Sequence, residues 1–182
     1  GLQLHATGFT RSTDDLIDYV RIDPSAQVYT ARNLLQVDTR GLELEAEALG
    51  QLSAVQRFRF DAAYTLLDAD VALEPGTPET ATYKYALTKA RHLLQGTLSY
   101  TFGRFTSGLQ GLWKHRMRTV PSNIGGASYS VINLRAAYRL PVGSEQLIIS
   151  GEVRNLFDTE YTEIFDAPMP GRWGIVRVRI DL

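Results

Sequence analysis

The chain has 182 residues, 44% of them hydrophobic, and 19 basic against 20 acidic side chains give a net charge of −1. Near-neutrality excludes a global field that would recruit nucleic acid or an anionic surface. The absence of cysteine excludes disulfide frameworks, thiolate metal sites and Cys nucleophiles.

The length suits one domain or a piece of a larger protein. No apolar run approaches the roughly 20 residues of a membrane-spanning helix. The opening GLQLHATGF has neither the basic start nor the apolar core of a secretion signal, and it lacks an initiator Met. A mature product or a fragment of a longer chain is therefore expected.

The dominant hydrophobic period is two, which predicts strands. In chain order they fall at about 2–22, 28–49, 55–68, 84–102, 104–118, 129–140, 145–161 and 171–182, eight in all. In the second, Leu42, Leu44, Ala46 and Ala48 alternate with Glu43, Glu45 and Glu47. In the third, Phe58, Phe60, Ala62, Tyr64 and Leu66 oppose Arg57, Arg59, Asp61 and Thr65. Ile132, Leu134, Ala136, Tyr138 and Leu140 alternate with Asn133, Arg135 and Arg139 in the sixth. In the last, Val176, Val178, Ile180 and Leu182 lie opposite Arg177, Arg179 and Asp181.

Connections alternate in character. The short ones are GQLSA (50–54), the turn near Phe102–Arg104, and PVGSE (141–145). The others, mostly longer and richer in Gly and Pro, are DPSAQ (23–27), residues 68–82, RTVPSNIGGAS (118–128) and TEIFDAPMPG (162–171). One plain end and one elaborate end are the pattern of an outer-membrane β-barrel. Alternation alone does not distinguish lipid outside from a soluble barrel with its apolar face inside. Three features favour lipid. Ions stand at mid-strand on one face while the apolar face runs to the last residue, the strands exceed the ten or so residues that cross a bilayer, and aromatics gather at one end. Tyr100, Phe102, Phe105 and Tyr138 share the apolar face beside the short turns, as an aromatic girdle at a membrane interface does.

VRNLFDTEY followed by PGRWGIVRVRIDL resembles the C-terminal end of TonB-dependent outer-membrane receptors, the siderophore and vitamin B12 receptor family. GFTRSTDDLIDYV and RNLLQVDTRGLELEAEA resemble segments further upstream in the same family, so the likeness covers essentially the whole chain. The resemblance implies an all-β antiparallel transmembrane meander, with these strands forming part of a barrel of about twenty-two. It implies that residues 1–182 are all C-terminal barrel wall, with no plug domain among them. The implied partners are outer-membrane lipid, the rest of the barrel and its plug, the inner-membrane TonB energy-coupling complex acting through that plug, the barrel-assembly machinery, and a ferric siderophore or similar scarce nutrient. The implied location is the Gram-negative outer membrane. Val176, Val178, Ile180 and Leu182 match the assembly signal, although Leu182 stands where the family usually ends in an aromatic.

No catalytic constellation emerges, and no enzyme activity, metal or cofactor is expected. Glu43, Glu45 and Glu47 read as a solvated wall rather than an acid–base pair. Asp14 with Asp15, Asp68 with Asp70, and Glu163 with Asp166 lack calcium-loop spacing. His92 and His115 fall on the apolar face, where interfacial or strand-end packing is the expected role. Arg135, Arg154, Arg177 and Arg179 on the polar face of the last three strands read first as paired charges facing a plug and second as substrate contacts. Loop residues Asn123, Tyr129, Phe165, Met169, Arg172 and Trp173 are the candidates for reaching an incoming ligand, since aromatic and Arg side chains commonly anchor binding. Two other architectures remain open at this point: a self-contained eight-stranded outer-membrane barrel with a structural or adhesive role, and a soluble lipocalin-like binding barrel.

Overall fold

Alternating side chains and two-residue turns produce one long antiparallel meander. The computed structural model describes residues 1–23, 25, 28–72, 78, 81–83, 89–117, 128–164 and 167–181. Its strands are β1 (Leu2–Arg21), β2 (Thr30–Ser53), β3 (Gln56–Ala72), β4 (Thr82–Tyr83), β5 (Ala90–Phe102), β6 (Phe105–Arg116), β7 (Ser128–Val142), β8 (Glu145–Arg154), β9 (Thr162–Ile164), β10 (Ala167–Pro168) and β11 (Trp173–Asp181). Nine of them form a single sheet in the order β11-β8-β7-β6-β5-β3-β2-β1-β4, and β9 pairs with β10 apart from it.

The all-β antiparallel meander expected from the sequence is present, with nine strands in its sheet rather than eight because the short β4 adds to the free side of β1. The sheet is open. β1 and β11 lie toward opposite ends and do not pair with each other, so the chain does not close into the self-contained eight-stranded barrel considered above.

Several strand boundaries differ from the sequence reading, and β3 runs to Ala72 rather than 68. β2 continues through the predicted turn at 50–54 to Ser53, leaving only residues 54 and 55 between strands. β5 begins at Ala90, and residues 84–88 lie outside the described part. β8 ends at Arg154 rather than 161, because Asn155 and Asp158 adopt positive φ of 49° and 56° that no strand continues through. The turns at 103–104 and 143–144 also contain two residues, and Gly103 and Gly143 take φ of +56° and +64°. Positive φ at the first turn position has the sign pattern of a II′ hairpin, which glycine adopts without steric cost.

Register sorts the residues into rows across the sheet. Phe60, Leu98, Leu109, Leu134 and Val153 form one apolar row. Two residues toward the short turns lies the row containing Phe58 and Tyr100, and two further lies Phe102, Phe105 and Tyr138, the expected girdle. In the other direction a second girdle appears, with Tyr64 and Trp113 in one row with Leu94. From Phe105 to Trp113 is about 27 Å along a strand and about 20 Å across a membrane at ordinary barrel tilt, close to the usual apolar band.

Among the described residues the apolar face is exposed along much of the sheet. Leu4 is 69% exposed and Val176 78%, while the charged face is exposed as well. A soluble barrel would bury one of these faces. Burial concentrates instead at the long-loop end, where Val20, Val37 and Ala81 pack with Leu16, Ile22, Ala69, Val71 and Met117. Asp15, at φ 55°, lies between the exposed part of β1 and this cluster, and beyond it Leu16, Asp18 and Val20 are the shielded positions.

Candidate functional site: the polar wall and its loop end

The odd-numbered side chains of β2 and β3 and their partners across the sheet form a polar wall. At one side Glu43, Glu45 and Glu47 make it acidic; toward β7, β8 and β11, Arg135, Arg139, Arg154, Arg177 and Arg179 make it basic. Arg59 bridges the acidic side, 2.9 Å from Asp61 and 3.3 Å from Glu47. On the basic side Glu152 is shared by Arg154 at 2.6 Å and Arg177 at 3.4 Å. Arg179 pairs with Asp181 at 2.8 Å. These pairs are solvated, so each contributes about 1 kcal/mol or less and serves chiefly to fix where the charge stands.

Arg135 lies flat across the neighbouring strand. A Cβ on Gly108 would fall 2.5 Å from its Nε, and its guanidinium donates to Ser99 Oγ at 3.4 Å. Glycine at 108 therefore leaves room for a cation to extend over two strands. A groove of about 300 Å³ follows, lined by Thr97, Gln110, Asn133, Arg135, Glu152 and Arg154 among others. A second of about 360 Å³ adjoins it through Thr97 and carries Gln3, His5, Glu45, Glu47 and Asp61. The wall thus offers hydrogen-bonding groups and both signs of charge. Among the described residues no group of three or more His, Asp or Glu side chains is arranged to hold a metal.

At the loop end the connection between β8 and β11 is tied to the wall. Lys114 Nζ on β6 donates to Glu163 Oε2 on β9 at 2.7 Å, and the Tyr129 hydroxyl on β7 donates to Glu163 Oε1. Tyr129 stacks on Tyr161 with ring centroids 4.8 Å apart, under the Arg116 guanidinium at 5.2 Å, while Arg116 donates to the Thr162 carbonyl. Burial pushes the Glu163 carboxyl up, but the hydrogen bonds from Lys114 and Tyr129 and the nearby Arg116 charge outweigh it, so it lies below the usual range. Burial raises the Tyr161 phenol, and the Glu163 charge adds to that.

The same connection is stapled at its base. Asn155, 3% exposed, donates through Nδ2 to the carbonyls of Thr159 at 2.9 Å and Pro170 at 3.3 Å. Its Oδ1 accepts from the Thr159 N–H at 2.8 Å. Asp158 Oδ1 accepts from the Arg172 N–H at 2.6 Å, and a Cβ on Gly171 would fall 2.7 Å from that oxygen. The Asn and Asp of NLFD thus hold Pro170 and Arg172 of the PGR segment.

The residues singled out from sequence separate into several places. Tyr129 is 5% exposed and belongs to the Glu163 cluster. Arg172 is engaged in the staple, where Nη1 donates to the Leu156 carbonyl at 3.5 Å. Trp173 lies beneath the Arg154 guanidinium at 5.1 Å, and Met169 is exposed with its N–H bonded to the Tyr161 carbonyl. Arg135, Arg154 and Arg177 stand together on the polar wall. Val176, Val178 and Ile180 are exposed along β11. Asn123, Phe165 and Leu182 lie outside the described residues. The sequence reading did not single out Lys114, Arg116 and Tyr161. Lys114 and Arg116 sit at inward positions of a strand end, the one signal that marked them.

A search among curated proteins returns no match. Residues 1–156 match the family model described as TonB dependent receptor-like, beta-barrel. That span ends just inside the NLFD segment, so the match and the closing motif are largely separate pieces of evidence. Members of this family are outer-membrane receptors that transport rather than catalyse. With a polar wall on one face, two aromatic girdles on the other and the model matched over most of its length, the chain belongs to the TonB-dependent receptor β-barrel family.

Proposed function

We propose that residues 1–182 are the C-terminal wall of a receptor that imports a ferric siderophore or a comparably scarce, bulky nutrient across the Gram-negative outer membrane. The carrying observation is the open sheet. Two unpaired edges cannot persist in hydrocarbon, so further strands must complete the wall. A barrel of about twenty-two strands has a lumen wide enough to need a plug. The polar wall, acidic at β2 and basic at β7–β11, suits contact with such a plug, with Arg135, Arg154 and Arg177 as its cationic part. The connection between β8 and β11 would stand at the outer mouth, where Met169 offers a thioether and Trp173 an aromatic ring to a ligand. The inner-membrane TonB complex would supply the energy that displaces the plug, and the barrel-assembly machinery would read Val176, Val178 and Ile180 on the closing strand.

The test is uptake of radiolabelled iron by iron-starved cells carrying the whole receptor, offered a panel of ferric siderophores. Accumulation of at least one, lost on receptor deletion and on collapse of the proton gradient, is the expected result. Receptor-independent accumulation of every siderophore would overturn the substrate assignment.

A further inference from the structure

Two of the three histidines, 23 positions apart in sequence, meet on the lipid-facing side of the wall. β5 and β6 pair with His92 directly opposite His115, and their ring centroids are 5.8 Å apart at an interplanar angle of 49°. They lie one row beyond the Tyr64 and Trp113 girdle, at headgroup level and within reach of water.

Each ring is oriented through the same atom. His92 Nδ1 lies 2.7 Å from the Tyr64 hydroxyl, and His115 Nδ1 lies 2.6 Å from Ser128 Oγ. With the proton on Nδ1 and the hydroxyl oxygens accepting, both Nε2 lone pairs are free. A hydrogen bond from the non-ligating nitrogen to an oxygen is how metal-binding histidines are held. The spacing also fits. A metal about 2.1 Å from each Nε2 lies about 3.2 Å from each centroid, so two imidazoles sharing it have centroids no more than about 6.4 Å apart. Trp113, with its ring 6.1 Å from His92 and 6.5 Å from His115, walls the pair on one side. Arg91, next to His92 in sequence, pairs with Asp68 at 3.6 Å.

We propose that His92 and His115 form a two-histidine site for a divalent late-transition cation at the outer rim of the barrel wall, with Tyr64 and Ser128 as its positioning residues. Imidazole suits copper, zinc and nickel, and copper binds such ligands most tightly of the three. The positions left open on the cation face water and headgroup oxygens. Packing alone, the role expected of these histidines from sequence, would not require both Nδ1 atoms to be held by hydroxyls.

The experiment uses the whole receptor in detergent micelles, titrated with Cu2+ and read by electron paramagnetic resonance. One saturable site, with pulsed spectra showing two coupled imidazoles, is expected. His92→Gln or His115→Gln should weaken binding at least tenfold, and Tyr64→Phe by about tenfold. His5→Gln, on the opposite face, should leave the affinity unchanged. Heat-modifiable migration in gels checks that each variant folds. Should a variant misfold, the wild-type pulsed spectrum decides alone: two imidazoles uphold the site, and none or one overturns it. Unchanged affinity in both folded single variants also overturns it.

Discussion

Asn155 concentrates several constraints in one side chain. It holds positive φ, which Asn tolerates better than most residues, and satisfies three backbone groups while nearly fully buried. Asn155→Ala should therefore cost about 2–3 kcal/mol, since the Thr159 and Pro170 groups would be left without partners. Denaturant unfolding of the reconstituted receptor measures it. Gly171→Ala should loosen the same staple by pushing against the Asp158 carboxylate, and Asp158→Ala in addition should restore part of the loss; a double-mutant cycle reads the coupling.

Glu163 carries the pH dependence of this region. Its folded pKa is depressed, so the attachment it provides is complete above the unfolded value of about 4.3 and is lost as pH falls through the lower folded value. Because the chain has no cysteine, a spin label on Met169→Cys reports this connection uniquely within it. The label should become mobile only once pH falls below the usual carboxylate range of glutamate. With Glu163→Gln it should be mobile already at pH 7.

At the scale of the strand, the two faces should respond oppositely to the same substitution. Leu98 sits in the central apolar row and its neighbour Thr97 on the polar wall. Leu98→Arg should destabilise by about 2–4 kcal/mol, because a cation at mid-membrane depth is desolvated, while Thr97→Arg should be close to neutral. Equal costs would place lipid on neither face. Gly103→Val tests the turn: forcing a β-branched residue into positive φ should cost about 1–2 kcal/mol and leave the neighbouring strands' register intact.

The strands were legible because period-two alternation is a local property, and so were the short turns, where Gly103 and Gly143 mark the chain's reversals. The end of β8 was not. GEVR alternates properly into NLFD, and the positive φ of Asn155 and Asp158, held by bonds to residues 170 and 172, turns the chain out of the sheet. The Glu163 attachment was equally hidden, because Lys114 lies 49 positions from it and nothing in either local sequence points to the other.

For the whole molecule, the open sheet is the governing fact. Among the described residues, β1 has no partner on its outer side below β4, and β11 none beyond β8. Expressed alone, the chain should fail to give a heat-modifiable, protease-resistant barrel in vesicles, whereas co-expression with the remaining strands of its receptor should yield one. Gel migration of heated and unheated samples distinguishes the two outcomes.

The sequence by itself determined that this is a β-meander with one apolar and one charged face, short turns at one end and long connections at the other, because each follows from neighbours two to five residues apart. It also carried the family likeness, in the closing segments. Only the tertiary structure decided what depends on register. Pairing β5 with β6 sets His92 against His115, pairing β6 with β7 lets Arg135 cross Gly108, and the strand order leaves the wall open rather than closed. Register is a property of two strands at once, and no single stretch of chain contains it.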